Sequence, residues 1–302
     1  MSSPELPTAD LLHTLWFPRL HVRGAIVALD NSATEVWTRG SYPPVVAAAL
    51  GEVLAASALF LTGIKSASKL SIQLQGAGGL RLLFAEASPG VSLRGIARVD
   101  EEAPVTLFPA PDSARLAITI EAGPDSRYQG IVPLEGADLS GAFTAYFERS
   151  EQLPTRLQLG SDGSTVAAGL IVQKLPLQGG AESAAEIDPD GWNRLGFLLD
   201  TVRPDELLRT PPLDLLRRVF AEEEVVLVET RPVHFACSCS RQRVSAVLTQ
   251  LGHAECEAAL AAGGEDAVRI TCEFCGQRYR FDRIEIASLF LPAVQDGPAR
   301  PT

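Results

Sequence analysis

Alternating apolar and polar residues in the first half of the chain predict a series of β-strands. Residues 69–75 (KLSIQLQ) alternate with a period of two, which is typical of a strand with one buried face. Glycines at 76, 78 and 79 come next, and the apolar residues 80–85 follow them, so the two segments predict a β-hairpin. Similar apolar segments predict further strands at residues 22–29, 92–99, 115–120, 128–133, 155–159 and 168–174.

Two other segments predict helices. Prolines 43 and 44 precede a run rich in alanine and leucine that is apolar on nearly every side, as expected for a helix inside a protein core. Residues 45–64 include Glu52, Thr62 and two glycines, so this run favours a core helix over a membrane span. A second helix is predicted at residues 139–150. Together these elements predict an α+β domain with a largely antiparallel sheet over residues 1–178.

Residues 179–230 differ from this domain in composition. They hold twelve acidic side chains against five basic ones, and leucines recur at helical spacing around a Pro-Pro break at 211–212. Pro204, followed by two acids, is typical of a helix start. Helices this short are not stable alone and need a surface to lie on. The pattern predicts a metastable amphipathic linker, and a plain helical connector is the alternative.

Composition and charge limit the classes of function. The 302 residues are 46% hydrophobic and carry a formal charge of −11, which disfavours nucleic acid as a partner because such binding depends on Lys and Arg. The first residues (MSSPELPTADLLHTLWF) lack the pattern of a secretory signal. Five cysteines fit a reducing compartment. We therefore expect a cytoplasmic protein with no membrane partner.

Four of the five cysteines form two close pairs near the C-terminus. Cys237 and Cys239 make a C-x-C pair, and Cys272 and Cys275 make a C-x-x-C pair. Paired thiols of this kind supply the four ligands of a tetrahedral zinc ion, so one Zn²⁺ per chain is predicted. We expect residues 231–290 to form a small zinc domain, with a strand at 225–228 leading into it, a helix at 243–251, a strand at 269–271 and a flexible tail at 291–302.

The same cysteines raise a question of chemistry. Closely spaced thiols can oxidise locally, and four arginines (Arg241, Arg243, Arg278 and Arg280) flank them, where a cation favours the reactive thiolate. The sequence leaves open whether these cysteines react with oxidants or form an inert structural zinc ribbon. Because structural zinc supplies much of the folding free energy of a small domain, oxidation would be expected to unfold it. Cys256 is interpreted as a half-buried helix cysteine, and His234 and His253 are weak alternatives as ligands. No sequence motif of an enzyme accompanies the cysteines, so catalysis is not expected.

The chain resembles the 33-kDa heat-shock protein family of redox-regulated bacterial holdase chaperones. The resemblance covers residues 22–290, and Cys256 lies outside the four-cysteine pattern of the family. The segments that carry it are HFACSCSRQR (234–243), CEFCGQRYRF (272–281), RG (23–24), LGE (50–52), SIQLQG (71–76), LRGIAR (93–98), YQGIVPL (128–134), YFERSEQLPT (146–155) and AAGLIVQKLP (167–176).

This resemblance implies a chaperone that is inactive while reduced and zinc-bound. It implies that oxidation forms the disulfides Cys237–Cys239 and Cys272–Cys275, with loss of zinc, unfolding of the linker and formation of a homodimer. The active form would hold unfolding client proteins without ATP during oxidative stress and release them to the 70-kDa heat-shock chaperone system. Candidate client-binding side chains are the apolar ones of the linker: Leu195, Leu198, Leu208, Leu216 and Phe220. A constitutive zinc-ribbon interaction module is the alternative function.

Overall fold

The computed structural model describes residues 10–64, 68–76, 78–100, 102–108, 114–123, 126–134, 136–176, 188–262 and 267–291. The chain divides into two compact units, Met1–Ala236 and Cys237–Thr302. Both units combine helices with antiparallel strands, which confirms the predicted α+β class. Of the predicted tail, only Leu291 lies within the described residues. Residues 179–187 of the predicted linker also lie outside them.

One sheet of the first unit has five strands, and all of its neighbouring pairs are antiparallel. Its order is β10-β1-β2-β9-β8, where the strands are β1 (Leu11–Phe17), β2 (Val22–Leu29), β8 (Thr155–Ser161), β9 (Ala167–Lys174) and β10 (Val226–Pro232). β9 lies inside the sheet, and seven of its eight residues are buried. β10 is an edge strand, and its apolar side chains Val226, Leu227 and Val228 are exposed.

The other sheet of this unit has six strands. Its order is β11-β5-β4-β3-β6-β7, where the strands are β3 (Lys69–Gln75), β4 (Leu80–Ser88), β5 (Ser92–Val99), β6 (Arg115–Glu121), β7 (Arg127–Pro133) and β11 (His234–Phe235). β3 and β4 pair antiparallel with Leu70 opposite Ala87, which confirms the predicted hairpin. β11 is parallel to β5, and the other pairs are antiparallel.

Helix α2 (Pro44–Leu61) forms the centre of the main core. It follows α1 (Asn31–Trp37) and contacts strands of both sheets, while α3 (Leu139–Ser150) packs on β8. By length and composition α2 is apolar enough to cross a membrane, but 78% of it is buried inside the protein. The prediction of a core helix is therefore confirmed. Asp138 caps α3 by accepting a hydrogen bond from the amide of Gly141 across 2.8 Å.

The predicted linker contains three short helices that pack on the five-stranded sheet. They are α4 (Gly191–Asp200), α5 (Pro204–Arg209) and α6 (Pro212–Val219), and the prediction of a helix start at Pro204 is confirmed. They contact β8, β9 and β2. The linker cluster, as we call it, is the apolar core that they share with the sheet, and it includes Phe17, Leu170, Leu195, Leu199, Leu215 and Phe220. These helices thus belong to the first compact unit.

The end of this unit differs from the sequence prediction. The strand expected at residues 225–228 was predicted as a lead-in to the zinc domain, whereas β10 extends over Val226–Pro232 and pairs antiparallel with β1 of the five-stranded sheet. The structure divides the chain after Ala236, and β11 also lies in the first unit. The functional division into a domain, a linker and a zinc domain stays a prediction. β1 and α1 were not predicted.

The second unit is small and has its own core. It contains α7 (Arg241–Leu251), α8 (His253–Ala262), the antiparallel strands β12 (Ala267–Thr271) and β13 (Arg278–Asp282), and α9 (Arg283–Leu289). The predicted helix at 243–251 and strand at 269–271 are confirmed. Its core cluster comprises the buried residues Leu248, Cys256, Leu260, Phe281 and Ile286.

Candidate metal centre

The sulfurs of Cys237, Cys239, Cys272 and Cys275 lie within 4.8 Å of one another. Sγ of Cys237 is 3.7 Å from Sγ of Cys272, and Sγ of Cys239 is 3.3 Å from Sγ of Cys275. A tetrahedral zinc tetrathiolate, with Zn–S bonds of about 2.3 Å, has sulfur–sulfur separations of about 3.8 Å. All four cysteines are free thiols and partly buried. The sequence prediction that they form one group is confirmed, and the group can hold a metal ion.

A tight turn between β12 and β13 presents Cys272 and Cys275. The amide of Gly276 donates to the carbonyl of Cys272 across 2.8 Å, and the amide of Cys272 donates to the carbonyl of Gln277 across 2.9 Å. Gly276 has φ of 71°, in the left-handed region that glycine adopts without strain. The turn therefore holds Cys272 and Cys275 close enough for both sulfurs to belong to one cluster.

The other two cysteines of the cluster lie in the segment just before α7. Ser240 caps this helix, because its side chain accepts a hydrogen bond from the amide of Arg243. The guanidinium of Arg243 in turn donates to the carbonyl of Ser238 across 2.7 Å, between Cys237 and Cys239. The start of the helix thus fixes the C-x-C segment opposite the turn.

Negative charge on the clustered sulfurs is unfavourable when no cation is present. Burial is the largest cause that raises the pKa of Cys275 to about 12, and hydrogen bonds with the other three sulfurs contribute to the same rise, against a backbone hydrogen bond from Gln277 that lowers it. The hydroxyl of Tyr279 donates to Sγ of Cys239 across 3.1 Å, and this bond is the largest cause that raises the pKa of Tyr279 to about 12. Four thiolates this close together repel one another, and a divalent cation offsets that repulsion. A four-thiolate donor set suits zinc.

Two of the flanking arginines have other partners in the structure. The guanidinium of Arg241 forms an ion pair with Glu285 across 2.5 Å and lies 4.2 Å from the centre of the Phe281 ring. Arg243 holds the carbonyl of Ser238. The sequence suggested that these side chains act on the thiolates, whereas their contacts show them stabilising the local fold.

Cys256 lies apart from the four-sulfur cluster. It is on α8, it is 2% exposed, and its thiol donates to the carbonyl of Leu248 across 3.6 Å. The interpretation of a helix cysteine is confirmed, although the side chain is buried and not half-buried. His253 stacks edge-on against Phe290, and the group of metal-capable side chains in the described part of the chain contains neither His253 nor His234.

The five candidate client-binding residues come together in the linker cluster. Leu195, Leu216 and Phe220 are buried there, and Leu198 and Leu208 pack against it with partial exposure. The sequence predicted their helical spacing but not the surface that covers them. Tyr279 was not predicted as part of the metal centre, because its contact with Sγ of Cys239 joins residues 40 positions apart in the chain.

Comparison with known proteins decides the family. The model of the family described as "Hsp33 protein" matches residues 10–282. The chain belongs to the Hsp33 family. Relatives named "33 kDa chaperonin" from Nitrosococcus oceani and Ectopseudomonas mendocina are 41% and 40% identical to it. The alignment with the first covers 95% of this chain and 96% of the relative, and the alignment with the second covers 96% and 98%.

The fold also agrees with that of a solved Hsp33 structure. The crystal structure of the 33 kDa chaperonin from Thermotoga maritima superposes with a TM-score of 0.76 at 21% identity. The match covers 93% of this chain and 97% of that one. Membership of the Hsp33 family makes this chain a chaperone whose partners are client proteins, and it places the four-cysteine cluster in a chaperone.

Proposed function

We propose that this Hsp33 protein is a redox-regulated holdase that prevents aggregation of unfolding proteins in the cytoplasm without ATP. One observation carries the proposal: the four sulfurs of a small unit lie within 4.8 Å of one another as free thiols, in a chain of a chaperone family. The proposed inactive state is reduced, with Zn²⁺ held by Cys237, Cys239, Cys272 and Cys275.

The cluster suits zinc by its chemistry and by its spacing. Four thiolates form the donor set of structural zinc sites, and the sulfur separations of 3.3 and 3.7 Å are near those of a tetrahedral cage. When bound, such an ion holds all four sulfurs as thiolates and contributes folding free energy to the unit. The small core around Phe281 gives this contribution a large share of the stability.

Oxidation by a peroxide would convert the thiolates to disulfides. One thiolate attacks a peroxide oxygen and displaces hydroxide, which leaves a sulfenic acid on that sulfur. A neighbouring thiolate then attacks this sulfur and displaces a second hydroxide, so that two sulfurs together give two electrons to the peroxide. We propose the pairs Cys237–Cys239 and Cys272–Cys275, which the family resemblance implies. The unit loses its ligands and with them its metal.

The packing of the linker cluster supports the proposal that the client-binding surface is buried in the reduced state. Leu195 is fully buried and Phe220 is 2% exposed, so a client cannot reach these side chains while α4–α6 lie on the sheet. Ion pairs help to hold the helices in place: Arg194 contacts Asp188 and Glu223, and Arg218 contacts Glu206. We propose that oxidation releases these helices, that the active form is a homodimer, and that clients pass to the 70-kDa heat-shock chaperone system after reduction.

A light-scattering assay with a heat-unfolding client tests this function. The full chain is reduced, loaded with zinc and compared before and after peroxide treatment at mildly elevated temperature, with zinc and free thiols counted in each sample. We expect suppression of aggregation only after treatment, together with zinc release and loss of four thiols. The matched control is Cys256→Ala, which removes a thiol outside the four-sulfur cluster without placing a polar group in the core and should leave the response unchanged.

Two results would contradict the proposal. Oxidised protein that suppresses aggregation no better than reduced protein would rule out redox activation. Retention of zinc through the treatment, with a binding activity that does not depend on oxidant, would favour the constitutive zinc-ribbon module.

A further inference from the structure

Tyr279 connects the core of the second unit to one sulfur of the metal centre. It lies in β13 opposite Ile270 of β12, and its ring packs against the core cluster of Leu248, Cys256 and Phe281. Its hydroxyl donates a hydrogen bond to Sγ of Cys239 across 3.1 Å. Strand pairing and ring packing therefore fix the hydroxyl in place beside that sulfur.

A hydrogen bond to a thiolate changes its reactivity. The donor withdraws electron density from the sulfur lone pair that would attack a peroxide, and it offsets part of the negative charge of the cage. At Cys275 the corresponding donor is the backbone amide of Gln277, which no side-chain substitution removes. Tyr279 is thus a donor that mutagenesis can delete without altering the backbone.

We propose that Tyr279 is a positioning residue that holds Cys239 in the metal cage and shields it from oxidants. This inference rests on the proposed function, in that the cluster binds zinc and is oxidised. Because Cys239 is shielded, peroxide forms the first sulfenic acid on one of the other three sulfurs of the cluster. Cys239 serves as the resolving thiolate, which attacks the sulfenic sulfur of Cys237 and displaces hydroxide to give the disulfide.

The test uses Tyr279→Phe in the full, zinc-loaded chain, because phenylalanine keeps the packed ring and removes only the donor. Protein is exposed to less than one equivalent of peroxide in the presence of dimedone, which traps sulfenic acids, and the labelled cysteines are located by mass spectrometry. Zinc affinity is measured by competition with a chelator. We expect labelling of Cys239 to rise about tenfold and zinc affinity to fall about tenfold, the size of other outer-shell effects at metal sites.

The matched control is Tyr128→Phe in the first unit, where the hydroxyl donates to Glu151, and it should match the wild type. A label distribution and a zinc affinity in Tyr279→Phe equal to those of the wild type would overturn the role of Tyr279. An equal rise at all four cysteines would overturn it too, since that reflects general loosening. These readouts need no client, so failure of the chaperone assay is a separate result. A wild-type chain that binds no zinc would overturn both proposals.

Discussion

At the scale of single residues, Glu52 is an acidic side chain placed among apolar residues of the main core. It lies on α2, where the surrounding residues 49–51 and 53–56 are all buried. Burial raises the pKa of Glu52 from its ordinary value of 4.5 to about 7, and the negative charge of Asp138 is the second cause. The folded protein therefore binds a proton on this carboxyl between pH 4.5 and 7 that the unfolded chain has released. The free energy of unfolding falls as the pH rises through this range.

Replacement by glutamine should remove this pH dependence. Glu52→Gln imitates the protonated acid, so it should stabilise the first unit at pH 8 by on the order of 2–3 kcal/mol and have little effect below pH 4.5. Urea unfolding followed by tryptophan fluorescence measures this, since Trp16, Trp37 and Trp192 all lie in that unit. The control is Glu102→Gln at an exposed position. Parallel stability curves for wild type and Glu52→Gln between pH 4.5 and 8 would show that the carboxyl has an ordinary environment.

At the scale of elements, the linker helices depend on their packing for stability. They are ten, six and eight residues long, and isolated helices below about 12–15 residues are marginal in water. Their apolar side chains are buried in the linker cluster on the five-stranded sheet. Loss of one buried leucine should therefore release a whole helix and not only a side chain.

Leu195→Ala tests this dependence. Leu195 is fully buried, and truncation of a buried leucine costs about 2–5 kcal/mol. We expect the reduced variant to be cleaved faster by trypsin at Arg209, Arg217 and Arg218 and to suppress client aggregation without oxidant. Phe197→Ala is the matched control, because Phe197 is on the same helix but 73% exposed. Protease resistance and oxidant dependence equal to those of the wild type would separate the linker from control of activity.

The sequence predicts some elements well and others poorly, for reasons of local pattern. α2 is a long apolar run and β3 alternates with a period of two, and the structure places both at or near the predicted residues. β1 was missed because its buried face is interrupted: His13 is buried next to Leu12. The strand at 225–228 was predicted without its partner, because that partner is β1, more than 200 residues earlier in the chain. Local periodicity contains no information on such a pairing.

At the scale of the whole molecule, the two compact units differ in what holds them together. The first has a large core around α2, and the second has a small core and a four-sulfur cluster. The sequence predicted the grouping of the four cysteines because their spacing is itself the signal. It did not predict Tyr279, whose contact with Cys239 spans 40 positions and depends on the register of β13.

Removal of metal should therefore unfold the second unit alone. The cluster ties Cys237 and Cys239 to Cys272 and Cys275, and structural zinc contributes apparent binding free energies of about 10–16 kcal/mol in small domains. A core of five buried side chains does not replace that contribution. Amide hydrogen exchange of the reduced chain, with and without a zinc chelator, measures the effect. We expect α7, β12 and β13 to lose their protection against exchange while α2 and β9 keep theirs.

Addition of excess zinc to the chelated sample provides the control, and it should restore the protection of α7, β12 and β13. Unfolding of both units together would mean that the metal stabilises the whole chain. Full protection of β12 and β13 in the chelated protein would mean that Phe281 and its neighbours suffice to fold the unit. The cysteines would then have no means of converting an oxidation event into a change of structure, and the proposed switch would need another origin.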